Sequence, residues 1–222
     1  MLTVDGLRVS IKGFPILRGV TLEIPDGGLV GLVGRNGAGK TTTLKGILGL
    51  APVTGGRIAL DGTDLTRVAS HKRAPLGIGY MPEDRRLIGA LTVEDNILMP
   101  AWATGRADDR QRLAYIYDIM PDVPPLARRR AATLSGGQQK MAALARAVMT
   151  GTKLLLLDEA FEGLSPATGE KFARTIEALQ REGLAVLIAE SDDKRLDFVD
   201  TIYTIERGEI VVEPPGAVPT LG

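Results

Sequence analysis

The sequence predicts an α/β fold in three parts: a core of buried parallel strands, an antiparallel β-rich beginning and a helical insert in mid-chain. Three observations carry this. The first thirty residues alternate apolar with polar positions. Short, wholly apolar runs recur near 28–34, 154–157 and 184–189. Between about 85 and 133 the texture turns to Arg, Ala and Asp at helical spacing.

Taken in order, Leu2, Val4, Leu7, Val9 and Ile11, then Val20, Leu22 and Ile24, have the period of two that a half-buried strand requires. Gly13, Pro15 and Pro25 break the pattern into antiparallel strands. Residues 28–34 form a run too short for a helix and too apolar for an edge, which fits a buried strand. Residues 41–50 read as a helix with Leu44, Ile47 and Leu48 on one face and Gly49 near its end. Residues 57–60 lead into Asp61-Gly62, a hairpin signal. Pro121, Pro124 and Pro125 punctuate the helical insert. After it, 154–157 reads as a strand, 168–181 as a helix, 185–189 as a strand, and 201–205 with 209–212 as a final strand pair. The ending PPGAVPTLG is expected to be disordered or loosely docked.

Composition narrows the chemistry. The 222 residues hold 27 Lys+Arg against 27 Asp+Glu, so there is no basic excess for general nucleic-acid binding. With no cysteine, disulfides, thiolate metal sites and cysteine nucleophiles are excluded, and the one histidine, His71, excludes a multi-histidine metal site. No apolar run approaches the roughly 18 residues of a membrane span. The first residues carry charge where a signal peptide has its apolar segment, so a cytoplasmic protein is expected.

Residues 34–41 read Gly34-Arg35-Asn36-Gly37-Ala38-Gly39-Lys40-Thr41, followed by Thr42. This is G-x-x-x-x-G-K-[ST] between an expected strand and an expected helix, the context a phosphate-binding loop needs. Glycines let successive backbone N–H groups close on the phosphates, and the following helix adds its positive end. Lys40 is placed for the β- and γ-phosphates, and Thr41 offers a hydroxyl to Mg²⁺. The run 154–157 ends in Asp158-Glu159. In a parallel sheet such C-terminal strand ends face the ligand crevice. There Asp158 can hold Mg²⁺, through water, and Glu159 can orient or deprotonate the attacking water.

Residues 134–139 read Leu-Ser-Gly-Gly-Gln-Gln ahead of an amphipathic helix with Met141, Leu144, Ala145, Val148 and Met149 on one face. Ser135 is its expected N-cap. Read alone, this is a well-capped helix. With Gly136 and Gly137 beside a helix N-terminus it is also a second phosphate site, ending at Gln138. One nucleotide does not need two such loops in one chain, so one resolution is that this surface serves the nucleotide of another copy.

Together, GRNGAGKT, LSGGQQ and LLLLDE, in that order, make the chain resemble the nucleotide-binding subunit of an ATP-binding-cassette (ABC) transporter over nearly its whole length. The resemblance implies a P-loop NTPase (RecA-like) core with an N-terminal antiparallel β-subdomain, formed by 1–84 and 134–222, and a helical subdomain at 85–133, all within one ATPase domain. It implies ATP and Mg²⁺, and two cassettes packed head-to-tail. Each ATP would lie between the phosphate loop of one subunit and the signature, Ser135 to Gln138, of the other. Phe14 stands where the family stacks an aromatic ring on adenine; otherwise it is a core residue. The implied partners are integral membrane permease subunits, a second ABC ATPase (a homodimer or a sister subunit) and, indirectly, a solute-binding protein. The implied location is the cytoplasmic face of the inner membrane.

Three positions depart from the family pattern. Glu83 replaces the usual Gln of the loop joining core to helical lobe, where its carboxylate reaches toward Mg²⁺ or the attacking water. Ser165 replaces an aspartate, and Ser191 replaces the switch histidine. Ser191 can hydrogen-bond a phosphate but carries no charge, and Glu190 beside it is expected to point to the opposite side of its strand. The segments Pro82-Glu83-Asp84-Arg85-Arg86, Leu91-Thr-Val-Glu-Asp-Asn96, Gly163-Leu164-Ser165-Pro166 and Ala189-Glu190-Ser191 resemble those of branched-chain amino acid importer ATPases, although sugar importers share Pro-Glu-Asp-Arg. The run Arg128-Arg129-Arg130 reads as a solvated face.

Overall fold

The computed structural model describes residues 1–212; the ending at 214–222 lies outside them. Two sheets organise the chain. The first is antiparallel, in the order β2-β1-β4-β5, from β1 (Leu2–Ile11), β2 (Phe14–Ile24), β4 (Val53–Leu60) and β5 (Thr63–Asp64). The second has the order β10-β9-β3-β8-β7-β6, from β3 (Leu29–Val33), β6 (Ile78–Met81), β7 (Leu154–Asp158), β8 (Ala185–Glu190), β9 (Thr201–Glu206) and β10 (Glu209–Val212). Its pairings are parallel except at the β9–β10 edge. The alternating N-terminal pattern therefore makes the antiparallel sheet, and the continuous apolar runs make the parallel one.

Strand alternation divides the core in two. Leu154 and Leu156 of β7 face one hydrophobic cluster with Leu2, Leu7, Leu22 and Ile58 of the antiparallel sheet and Leu44 and Ile47 of α1 (Lys40–Ile47). Leu155 and Leu157 face the other, with α2 (Val93–Thr104), α3 (Asp109–Ile119), α4 (Gly136–Thr150) and α5 (Pro166–Arg181). Both faces of the parallel sheet are thus covered, which is why β7 reads Leu-Leu-Leu-Leu rather than alternating.

Residues 85–133 hold α2, α3 and short 3-10 turns. α2 starts with a capping box in which Thr92 and Asp95 satisfy each other's backbone N–H groups. Pro100 lies inside this helix without ending it. The strand β6 has no counterpart in the sequence reading. It is only four residues long, and a glycine and a tyrosine interrupt its apolar pattern. Asp61 (φ 50°) and Gly62 (φ 77°) both take the left-handed conformation that a tight hairpin turn demands, as their dipeptide predicts. Arg128, Arg129 and Arg130 are all exposed, in line with a solvated face. Among the described residues, no helix is long and apolar enough to cross a membrane.

Candidate nucleotide-binding and catalytic site

The sheet order assembles the site. β3, β8 and β7 are adjacent and parallel, so their C-terminal ends meet at one edge. β3 runs into Gly34 and the phosphate loop, β7 ends in Asp158-Glu159, and β8 ends in Glu190-Ser191. β6, next to β7, delivers Tyr80 and the loop carrying Glu83. The cleft there has a volume of about 490 Å³, and its walls include Asn36, Gly37, Lys40, Thr41, Thr42, Glu83, Glu159 and Ser191.

The loop from Gly34 to Gly39 bends where only glycine fits. A Cβ on Gly34 would sit 2.3 Å from the Ile205 carbonyl oxygen. Gly39, at φ 118°, leads into α1 with Leu17 2.7 Å from where its Cβ would be. Lys40 is buried. Its Nζ donates to the Gly34 carbonyl at 2.7 Å and pairs with Glu159 Oε1 at 3.0 Å. The Thr41 hydroxyl donates to Asp158 Oδ1 at 3.0 Å. Tyr80 OH donates to Asp158 Oδ2 at 3.2 Å. Burial pushes the Asp158 carboxyl up, and Glu159 and Glu83 add to this, while the bonds from Thr41 and Tyr80 act the other way. Burial also raises the Tyr80 phenol, with Asp158 adding its charge, so this hydroxyl stays a donor.

Thr41, Asp158 and Glu83 offer only oxygen donors, the kind a hard cation takes; of the three, Thr41 and Asp158 are in direct contact, and the exposed Glu83 lines the cleft. Among the described residues no three His, Cys, Asp or Glu are grouped to hold a metal by themselves.

Glu159 takes a left-handed backbone conformation, φ 47°. The Ser191 hydroxyl lies 2.9 Å from Glu159 Oε1 and 3.1 Å from Asn36 Oδ1. Ser191 therefore links the β7 and β3 ends across β8. Glu190 does not lie on the opposite side from Ser191. It is 7% exposed, its Oε1 accepts the Phe161 N–H at 2.9 Å, and it lines the same cleft. Glu190 keeps the alternation of β8: it pairs with Val33 and faces the side of Ile188 and Phe161, whereas Ser191, the first residue past the strand, is the one the pleat no longer directs. Burial, with the neighbouring Glu159 charge, raises its carboxyl to about 7.

Other expected residues lie elsewhere. Ser135 is the N-cap of α4 in a capping box with Gln138, and Ser135 and Gly136 are exposed. Ser135, Gly137 and Gln138 border a different depression from the phosphate cleft, so the signature does not reach this chain's own phosphate loop. Phe14 is 72% exposed, which removes the alternative of a core residue. Its ring is not part of the cleft wall, and neither is the exposed Arg35. His71 is exposed on a 3-10 turn away from the cleft. Ser165 caps α5, its Oγ accepting from the Thr168 N–H. Serine and aspartate are comparable caps, so this departure costs the helix little.

Tyr80, Lys140 and Glu190 were not assigned from the sequence. Lys140 did leave a trace, a charged residue inside the apolar stripe of α4. It is 2% exposed, and its Nζ donates to the Glu159 carbonyl at 2.7 Å.

The family model described as "ABC transporter" matches residues 17–162. The chain belongs to the ABC transporter family. It is an ATP-binding cassette, an ATPase of the transport type. It is 35% identical over 218 residues, covering 98% of this chain and 94% of the relative, to the high-affinity branched-chain amino acid transport ATP-binding protein BraG of Pseudomonas aeruginosa. It is 32% identical over 213 residues, covering 95% and 88%, to the lipopolysaccharide export system ATP-binding protein LptB of Escherichia coli. Its fold matches the dimeric structure of MJ0796, described as a bacterial ABC transporter cassette. The TM-score is 0.85 with 26% identity, over 96% of this cassette and 97% of that chain.

Proposed function

We propose that this cassette binds ATP with Mg²⁺ at its phosphate loop, hydrolyses it between two head-to-tail copies, and energises a membrane importer for branched-chain or other amino acids. The observation that carries the hydrolytic part is the convergence of Lys40, Glu159 and Ser191 on one cleft, with Asp158 bonded to Thr41 in its wall. The likeness to BraG supports the solute class.

The backbone from Gly34 to Gly39 cradles the phosphates, with Thr42 beside them, and Lys40 binds the β- and γ-phosphates. An arriving phosphate competes with Glu159 for the Lys40 ammonium, and the Glu159 carboxylate so released can accept a proton from water. Ser191 holds that carboxylate's orientation through its hydroxyl. Thr41 and Asp158, with Glu83, would hold Mg²⁺, and the ion would supply neutralisation of the phosphate charge. Ser135, Gly136, Gly137 and Gln138 complete the partner's site, and the exposed Phe14 ring stacks on adenine. Residues 85–133 act as the helical subdomain against the remainder of the single ATPase domain. Permease subunits hold the protein at the cytoplasmic face of the membrane, and a solute-binding protein acts through them.

The likeness to LptB supports a second reading, a cassette that serves another solute in a transporter of the same general build. Co-purification with the membrane subunits, followed by ATPase assay with solute receptors loaded with branched-chain amino acids or with sugars, separates the readings. Stimulation by the amino-acid-loaded receptor is expected. Stimulation by another solute alone would overturn the amino-acid assignment.

A further inference from the structure

Two buried ionisable side chains have no part in the hydrolytic scheme, and they meet the same turn. Lys140 opens the second turn of α4, among residues that face the core. Glu190 is the last residue of β8. Between them runs the segment from Glu159 to Phe161, which starts in the left-handed conformation of Glu159. Lys140 Nζ donates to the Glu159 carbonyl at 2.7 Å. Glu190 Oε1 accepts the Phe161 N–H at 2.9 Å. The Glu159 N–H is also taken, by the Ala189 carbonyl at 2.9 Å.

Burying an ammonium is costly, and a methionine would fill an apolar stripe at less expense. Burial lowers the Lys140 ammonium to about 8, against the opposing pull of Glu190, Glu162 and Glu159 and with the added push of Arg85. A left-handed non-glycine residue likewise persists only where its surroundings hold it. Each cost explains the other if the lysine is there to hold the turn.

The same helix grips the neighbouring loop. Gln139 accepts from Arg85 Nη1 at 2.7 Å, and the Arg146 guanidinium takes the carbonyls of Arg85 and Arg86. Since Ser135 caps α4, the element that carries the signature also holds the backbone on which Glu159 stands.

We propose that Lys140 is a positioning residue which, with Glu190, clamps the turn presenting Glu159 and ties that turn to the signature helix. The clamp rests on the reading of Glu159 as the group that orients or deprotonates water. It adds a path within one chain: a shift of α4 as the signature engages the partner's nucleotide is passed to the carbonyl of Glu159.

The test is steady-state ATP hydrolysis by the full chain with Mg²⁺, with nucleotide affinity measured separately. Lys140→Met is expected to lower kcat about 10- to 100-fold, the scale of a misplaced reacting group. KM and ATP affinity should stay within about twofold, because no phosphate contact is lost. Lys140→Arg, which keeps a long cationic donor, should recover much of the loss. In a Glu159→Gln background, Lys140→Met should cost almost nothing more, since the carboxylate it positions is already gone. A purely structural role would lower rate and affinity together and add its full loss to that of Glu159→Gln; either result overturns the clamp, as does wild-type kcat in folded Lys140→Met. If Lys140→Met does not fold, Lys140→Gln carries the same comparison, with an intermediate kcat at unchanged affinity expected. Full turnover by Glu159→Gln alone would instead overturn the role of Glu159 on which the clamp depends.

Discussion

The ammonium of Lys40 and the carboxylate of Glu159 lie 3.0 Å apart, with side chains only 5% and 11% exposed. They are 119 positions apart in the chain, and the adjacency of β3, β8 and β7 brings them together. The pair joins the phosphate-binding group to the proposed water-activating group, so each should report on the other.

Lys40→Ala should abolish hydrolysis and weaken ATP binding. It should also lower the melting temperature, because a buried carboxylate loses its partner. Breaking such a pair costs about 3–5 kcal/mol when fully buried, an upper bound for a site opening on a cleft. The double variant Lys40→Ala/Glu159→Gln should regain part of that stability. Thermal unfolding of the two variants side by side checks this; a double variant less stable than Lys40→Ala would show that the pair is not the source of the loss.

Glu159→Gln keeps the side chain's shape and removes its charge. It should bind ATP normally, turn over at least about 100-fold more slowly, the scale of losing a general base, and accumulate as an ATP-bound dimer. Light scattering and a turnover assay on the same sample suffice. A wild-type rate would remove Glu159 from the chemistry.

Ser135→Arg probes the signature. Ser135 is exposed at the N-terminus of α4 and borders no part of the phosphate cleft. ATP affinity of the isolated monomer should stay unchanged, while ATP-dependent dimerisation is blocked by the bulky side chain. Loss of the N-cap should cost about 1 kcal/mol of stability. Equilibrium binding to the monomer decides the matter, since loss of affinity there would place the signature in the chain's own site.

Glu190 sets a pH dependence of stability. Its folded-state carboxyl lies near 7, above the ordinary 4.5. Between those values the folded chain holds a proton that the unfolded chain has released. Stability from this group is therefore greatest at low pH and falls as pH rises through the window. Glu190→Gln keeps an oxygen acceptor for the Phe161 N–H and removes the titration. The melting temperature of this variant relative to wild type should rise by a few degrees from about pH 5 to pH 8. A difference independent of pH would contradict the raised carboxyl.

Ser191 and His71 predict the form of the pH–rate profile. Ser191 has no titration in the working range, and the exposed His71 is away from the cleft. His71→Ala should leave the profile unchanged. Ser191→His should add a limb near the ordinary histidine value of about 6.5. A wild-type limb removed by His71→Ala would give that histidine a role in turnover.

The sequence by itself determined the strand, loop and helix of the phosphate site, the carboxylates at the end of β7 and the capped helix behind Ser135. Each is a local pattern: glycines where the backbone must bend, an apolar run as long as a buried strand, a serine before an amphipathic repeat. Tertiary structure alone decided the rest. β6 is too short and too broken to declare itself, and it becomes a strand by pairing with β7. Tyr80 reaches Asp158 because of that pairing. Ser191 shares the cleft with Glu190 because β8 stops between them, so the period of two no longer applies to Ser191. Lys140 interrupts the apolar stripe of α4, and only the packing of that helix brings the Glu159 carbonyl within 2.7 Å of its ammonium. Local sequence sets backbone preference and burial, whereas the partner of a buried charge is chosen by whichever element folds back against it.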